Sequence, residues 1–170
     1  NETTLLSLYR NIYFDDGIVE AVNGLSVTGK AVGANKCLIN GTVYNVGSLA
    51  VSGKLGYAVT LYYEDVNDGT KTLICLDDTD TDVLTISAED FIGYESGKIK
   101  YYNDSDKEKS AKTDSSATVV RNGSVVSSGL SEAFKLTEGE LRLIDNDSDG
   151  SYDIVFIEDY QTAVVKSVNT

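Results

Sequence analysis

The chain has 170 residues, 41% of them hydrophobic, and 14 basic against 27 acidic side chains give a net charge of −13. That length suits one ordinary domain or two small ones with a real core, and the acidic balance repels nucleic-acid phosphate, so DNA and RNA are not expected partners. Histidine is absent, which removes the commonest general base, the usual Ser and Cys triads and nearly all zinc and iron sites.

Leu5, Leu8, Tyr9, Ile12 and Tyr13 recur at helical spacing and predict a helix over residues 4–13. Thr3 or Thr4 would cap it, and Asp15, Asp16 and Gly17 would end it. Such a helix either packs on its own domain or links to something upstream.

Everything after it reads as strands. Ile18–Val22 alternates and meets Leu25–Val27 across Asn23 and Gly24. Lys36–Ile39 and Thr42–Val46 flank Asn40 and Gly41. An Asn-Gly pair between apolar runs is a strong hairpin signal, because both residues tolerate positive φ. Tyr57–Tyr63 and Lys71–Leu76 flank a turn at Asn67, Asp68 and Gly69. Asp77 to Asp82 forms an acidic turn, Val83–Ile86 is a strand, and Ser87–Phe91 has room for one helical turn.

Lys98–Tyr102 is a further strand with alternating faces. Asn103–Ser116 is polar, and reads as a loop or domain seam, or else as a solvent-facing edge strand over Lys107–Thr113. Thr118–Val120 and Ser124–Val126 flank Asn122 and Gly123 as one more hairpin, and Thr162–Val168 offers a last strand. Short strands with turn chemistry between them predict an all-β fold of antiparallel barrel- or sandwich-like modules with a short N-terminal helix. The expected layout is a helix or linker over 1–14, a barrel-like module over 15–96 and a second β module over 97–170.

The run from Asp145 to Asp153 carries the most chemistry. Asp145, Asp147, Asp149 and Asp153 occupy positions 1, 3, 5 and 9 of a calcium-type loop, with Gly150 at position 6. Carboxylates at alternate positions of a tight turn converge on one hard cation. An EF-hand would need flanking helices and a Glu at position 12, but Phe156 stands there and both flanks read as strands. The loop is therefore expected to close a β-hairpin and to hold Ca²⁺ through Asp145, Asp147, Asp149, Asp153 and the Ser151 carbonyl. An acidic Asx-rich turn without metal is the plainer alternative.

Other candidates carry less. Asp77, Asp78, Asp80 and Asp82 crowd a turn without a glycine, and Glu64, Asp65, Asn67 and Asp68 precede Gly69. No feature selects one carboxylate pair for glycoside hydrolysis, so no catalytic residue is expected. Cys37 and Cys75 read as two buried free thiols, with a disulfide as the alternative. Tyr62, Tyr63, Tyr101 and Tyr102 put one ring of each pair on either face of a strand. No apolar run reaches membrane-spanning length, so membrane insertion is not expected. Met is absent, so the chain is expected to be a processed product or a fragment, with any targeting signal outside it.

From Gly97 onward the chain resembles β modules of surface-layer-type proteins of Gram-positive anaerobes and of structural proteins of their phages. The residues that carry the likeness are Tyr101 to Asp104, Arg121 to Gly123, Glu138 to Gly150 and Tyr152 to Ile157. The resemblance implies an extracellular setting, on a cell surface or a virion, and an architectural role beside other domains or subunits of a larger assembly. The function expected is thus a non-catalytic structural module braced by a calcium-type loop. The alternatives are a module that binds a host-surface glycan or receptor and, behind it, a carboxylate-based glycosidase.

Overall fold

The computed structural model describes residues 11–66 and 69–164, and the fold is all-β. Six strands form the first sheet: β1 (Ile12–Val22), β2 (Leu25–Ser26), β3 (Lys36–Ile39), β4 (Thr42–Asn45), β5 (Ala58–Val66) and β6 (Thr70–Asp78). Its first half-strand, from Ile12 to Ile18, pairs with β5, while Val19 to Val22 pairs with β3. A single parallel bridge, Asn45 to Thr72, joins β4 to β6. The sheet thereby curls into a partly closed barrel.

Ile12 and Tyr13 correct the sequence expectation, since they open a strand where helical spacing was read. Tyr13 lies opposite Tyr63 and stacks on it at 5.7 Å, so cross-strand pairing overrides the local period. Residues 1–10, which carry most of the expected helix, lie outside the described residues. The strand also runs through Asp15, Asp16 and Gly17, read from sequence as a stop. Gly17 is needed there because a Cβ would come within 2.7 Å of Ile39 and 2.9 Å of Asn40. The Asn40 side chain uses that space to accept from Ile18 N (3.1 Å) and donate to the Asp16 carbonyl (3.1 Å).

Seven strands form the second sheet: β7 (Asp82–Ser87), β8 (Phe91–Glu95), β9 (Lys98–Tyr102), β10 (Glu108–Arg121), β11 (Ser124–Val125), β12 (Gly139–Asp145) and β13 (Ser151–Asp159). The change of sheet falls between Asp78 and Asp82. Pairing is antiparallel except between β10 and β13, which run parallel. The polar run read as a loop or as an edge strand proves to be strand from Glu108 on: it belongs to the 14-residue β10, whose start pairs with β9 and whose end pairs with β13. Ser87 to Phe91 makes a tight turn, not a helical one, closed by Asp90 N on the Ser87 carbonyl at 3.2 Å. The one α-helical segment among the described residues is α1 (Leu130–Ala133).

The Asn-Gly turns form as their chemistry demands, with φ of 45° and 87° at Asn23 and Gly24, 44° and 73° at Asn40 and Gly41, and 46° and 79° at Asn122 and Gly123. Ser96 and Gly97 make an equivalent turn between β8 and β9, with φ of 51° and 76°. Of the expected last strand, residues 162–164 are irregular and 165–168 lie outside the described residues.

Two cores follow from strand alternation. One fills the barrel with Val19, Val22, Ile39, Val59 and Leu61, and takes in Val120, Ile144, Ile154 and Phe156 from the second sheet. The other lies on the far face of that sheet, where Leu141, Leu143, Val155 and Ile157 meet Phe134 beside α1. Tyr94 stacks on Phe134 at 4.1 Å. Each fully buried aliphatic side chain contributes roughly 1.5–3 kcal/mol. Arg121 ties the Phe134 segment down: it donates to the carbonyls of Ala133 and Lys135 and pairs with Asp159 at 2.5 Å. Both cysteines are free thiols; Cys37 is buried, which pushes its thiol up to about 11, while Cys75 is only half-buried rather than buried as expected.

Candidate metal centre

Asp145 ends β12 and Ser151 begins β13, so the acidic loop closes an antiparallel hairpin. Asp145 is 3% exposed. A buried carboxylate needs donors, and three backbone N–H groups supply them: Asp147 (3.3 Å) and Ser148 (2.7 Å) to Oδ1, and Gly150 (2.9 Å) to Oδ2. The next two acids repeat the pattern locally. Asp147 Oδ1 accepts from Asp149 N at 3.3 Å, and Asp149 Oδ1 accepts from Ser151 N at 2.7 Å. These are Asx turns in series, the local habit of Asp that competes with regular structure. Ser148 takes the left-handed conformation at φ 58° and Gly150 at φ 83°, which winds the loop back on itself.

The winding brings one carboxylate oxygen each of Asp145, Asp147 and Asp149 within 4.8 Å of one another. Oxygens on opposite sides of a calcium ion stand about 4.6–5.2 Å apart, so this spacing fits a hard cation of that size. The donors are oxygen only, without thiolate or imidazole, which suits calcium over zinc. The cluster can therefore hold a metal ion.

The remaining expected ligands stand beside this cluster. Asp153 accepts from Asn146 N at 2.8 Å through Oδ2. Burial first, and then the charges of Asp147, Asp145 and Asp149, hold its carboxyl above the ordinary 3.8, against the Asn146 N–H, which lowers it. Ser151 is buried, and its hydroxyl accepts from Lys112 Nζ at 3.1 Å. Asp147 and Asp153 also border an open cleft of about 610 Å³ whose barrel side carries Asp16 and Glu20.

The other acidic groups do not converge in this way. Asp78 pairs with Lys54 at 2.5 Å, Asp77 accepts from the Cys75 thiol at 3.6 Å, and Asp82 lies opposite Asp145 in the β7–β12 ladder. Asp65 faces Lys71 at 3.9 Å, while Asn67 and Asp68 lie outside the described residues.

Sequence reasoning missed Asn146. Its side chain imitates a strand edge: Oδ1 accepts from Ala58 N at 2.7 Å and Nδ2 donates to the Gly56 carbonyl at 2.9 Å. Ser148 Oγ adds a contact to the Asp80 carbonyl at 3.3 Å. The acidic loop is thus bolted to the entry of β5 in the barrel. Nothing in the spacing of the acids marks this role; only the partner backbone, some ninety positions earlier in the chain, reveals it. The chain matches no protein-family model, and no curated protein matches it in sequence. No helix among the described residues is long and apolar enough to cross a membrane.

Proposed function

We propose that this chain is a non-catalytic structural module of a larger extracellular assembly, a cell surface or a virion, and that the loop at 145–153 binds Ca²⁺ to brace it. The observation that carries the reading is the double use of one loop. Its odd positions, Asp145, Asp147 and Asp149, gather carboxylates, while Asn146 between them anchors the second sheet to the barrel. A cation held by the three acids, with the Ser151 carbonyl and Asp153 as further oxygens, would relieve their mutual repulsion and stiffen the joint. The acidic surface favours solubility until a neighbouring domain or subunit covers an edge.

Thermal unfolding with calcium and with chelator tests the brace. A ligand that binds only the folded state stabilises it by about 2.7 kcal/mol at 100 times its dissociation constant, so the midpoint should rise with calcium. Equal midpoints together with no calorimetric binding heat would remove the metal from the proposal. A screen of glycans, peptidoglycan and esters should show no turnover above background; turnover abolished by replacing one Asp or Glu in a folded variant would remove the structural role.

A second reading, a glycan- or receptor-binding module, is supported by Phe14. Its ring is 50% exposed on the barrel and lies 6.2 Å from Tyr62. Saturable binding to a glycan array, lost in Phe14→Ala, would favour it.

A further inference from the structure

The two arginines on the described second-sheet strands are treated very differently. Arg121 spends its guanidinium on two carbonyls and Asp159. The Arg142 side chain, on β12, has no hydrogen bond or ion pair among the described residues, in a chain with 27 acidic side chains. It lies over the Phe156 ring at 4.6 Å and near the Tyr57 ring at 5.9 Å. Stacking holds the planar group in place and leaves its N–H donors uncommitted.

Arg142 lines a cavity of about 390 Å³ between the barrel and the second sheet. Leu25, Leu55, Val120 and Phe156 give it apolar walls. The single carboxylate of the lining, Glu158, accepts from the Tyr160 hydroxyl at 2.6 Å. Ser26, Ser52 and Asn122 add neutral polar groups to the lining, and a mostly apolar cavity of this size with a few polar groups is the general form of a small-molecule site. Arg142 carries a fork of donors whose natural complement is a carboxylate.

We propose that this cavity binds a small monocarboxylate with an apolar body, its carboxylate on Arg142 and its body against Leu25, Leu55 and Val120. The proposal uses none of the loop acids and stands apart from the calcium brace. A multiply charged anion would leave charge unpaired against the apolar walls, and an uncharged apolar molecule would leave the guanidinium without its complement.

Octanoate, octanol and octylamine serve as probes of equal body and different head, titrated calorimetrically into the unaltered protein. Octanoate should bind saturably and octanol at least about tenfold more weakly, the worth of a charge-assisted contact; octylamine should not bind. Because the chain has no Trp, Leu25→Trp places a lone fluorophore at the cavity mouth, where Leu25 is 48% exposed. Its emission should shift with octanoate, and the shift should weaken at least about tenfold when Arg142→Gln is added. If that double variant does not fold, Arg142→Lys in the same background should retain binding several-fold weaker, since an ammonium lacks the fork. No binding of octanoate, equal affinity for octanol, or an unchanged shift in the Arg142 variants would overturn the proposal.

Discussion

Asp153 and Asp159 show how single carboxyls in one hairpin acquire opposite dependences on pH. Burial and three neighbouring acids raise Asp153 above 3.8, so the folded state holds that proton more tightly than the unfolded chain does. Its contribution to stability is complete below the ordinary value and is lost as pH rises through the folded one. Asp159 is lowered, first by the Thr137 N–H and also by Arg121, so its contribution is present above 3.8 and is lost as pH falls through its folded value. In chelator, Asp153→Asn should therefore be more stable than the unaltered protein near pH 7, because an amide oxygen still accepts from Asn146 N without a partly buried charge. The gain should vanish by about pH 4, where the ordinary carboxyl is itself protonating, and calcium should reverse the order. Urea unfolding at a series of pH values checks this, and a difference that does not change with pH would refute the burial account.

At the scale of elements, β12 depends on the residue that starts it. Gly139 has φ 111°, and a Cβ there would lie 1.9 Å from the Glu158 carbonyl oxygen. That neighbour is backbone of the paired strand β13, so it cannot swing aside. Gly139→Ala should cost about 3 kcal/mol or more, through backbone strain and displacement of the ladder, measured as a lower urea midpoint. Gly33→Ala is the control: a Cβ there meets nothing within 4 Å and the residue lacks positive φ, so the change should be nearly neutral. The hairpin elements were legible from sequence because Asn-Gly turns act within four residues. The polar run that became β10 was legible only as one of two readings, a loop or an edge strand. Its strand character comes from β9 on one side and β13 on the other, and β13 lies about forty residues further along the chain.

Across the whole molecule, the two sheets share one core, since Val120, Ile144, Ile154 and Phe156 pack with the barrel interior. Asn146 adds the polar half of the joint. Asn146→Ala would leave Ala58 N and the Gly56 carbonyl without these partners, at a cost of about 1–3 kcal/mol, while circular dichroism keeps its strand signature. A cost below about 0.5 kcal/mol would show that the apolar contacts alone hold the sheets together.

The sequence alone determined the all-β class, the Asn-Gly hairpins and the acidic loop between two strands. Each of these depends on neighbours a few residues apart: side-chain alternation, tolerance of positive φ, and carboxylates that bond to nearby N–H groups. Tertiary structure decided the rest. Ile12 and Tyr13 are strand because Glu64 and Tyr63 pair with them, Asn146 is a clamp because Gly56 and Ala58 meet it, and Arg142 faces a cavity because the barrel closes one side of it. In each case the deciding partner is far away in the chain, and a local pattern carries no record of a contact that only folding creates.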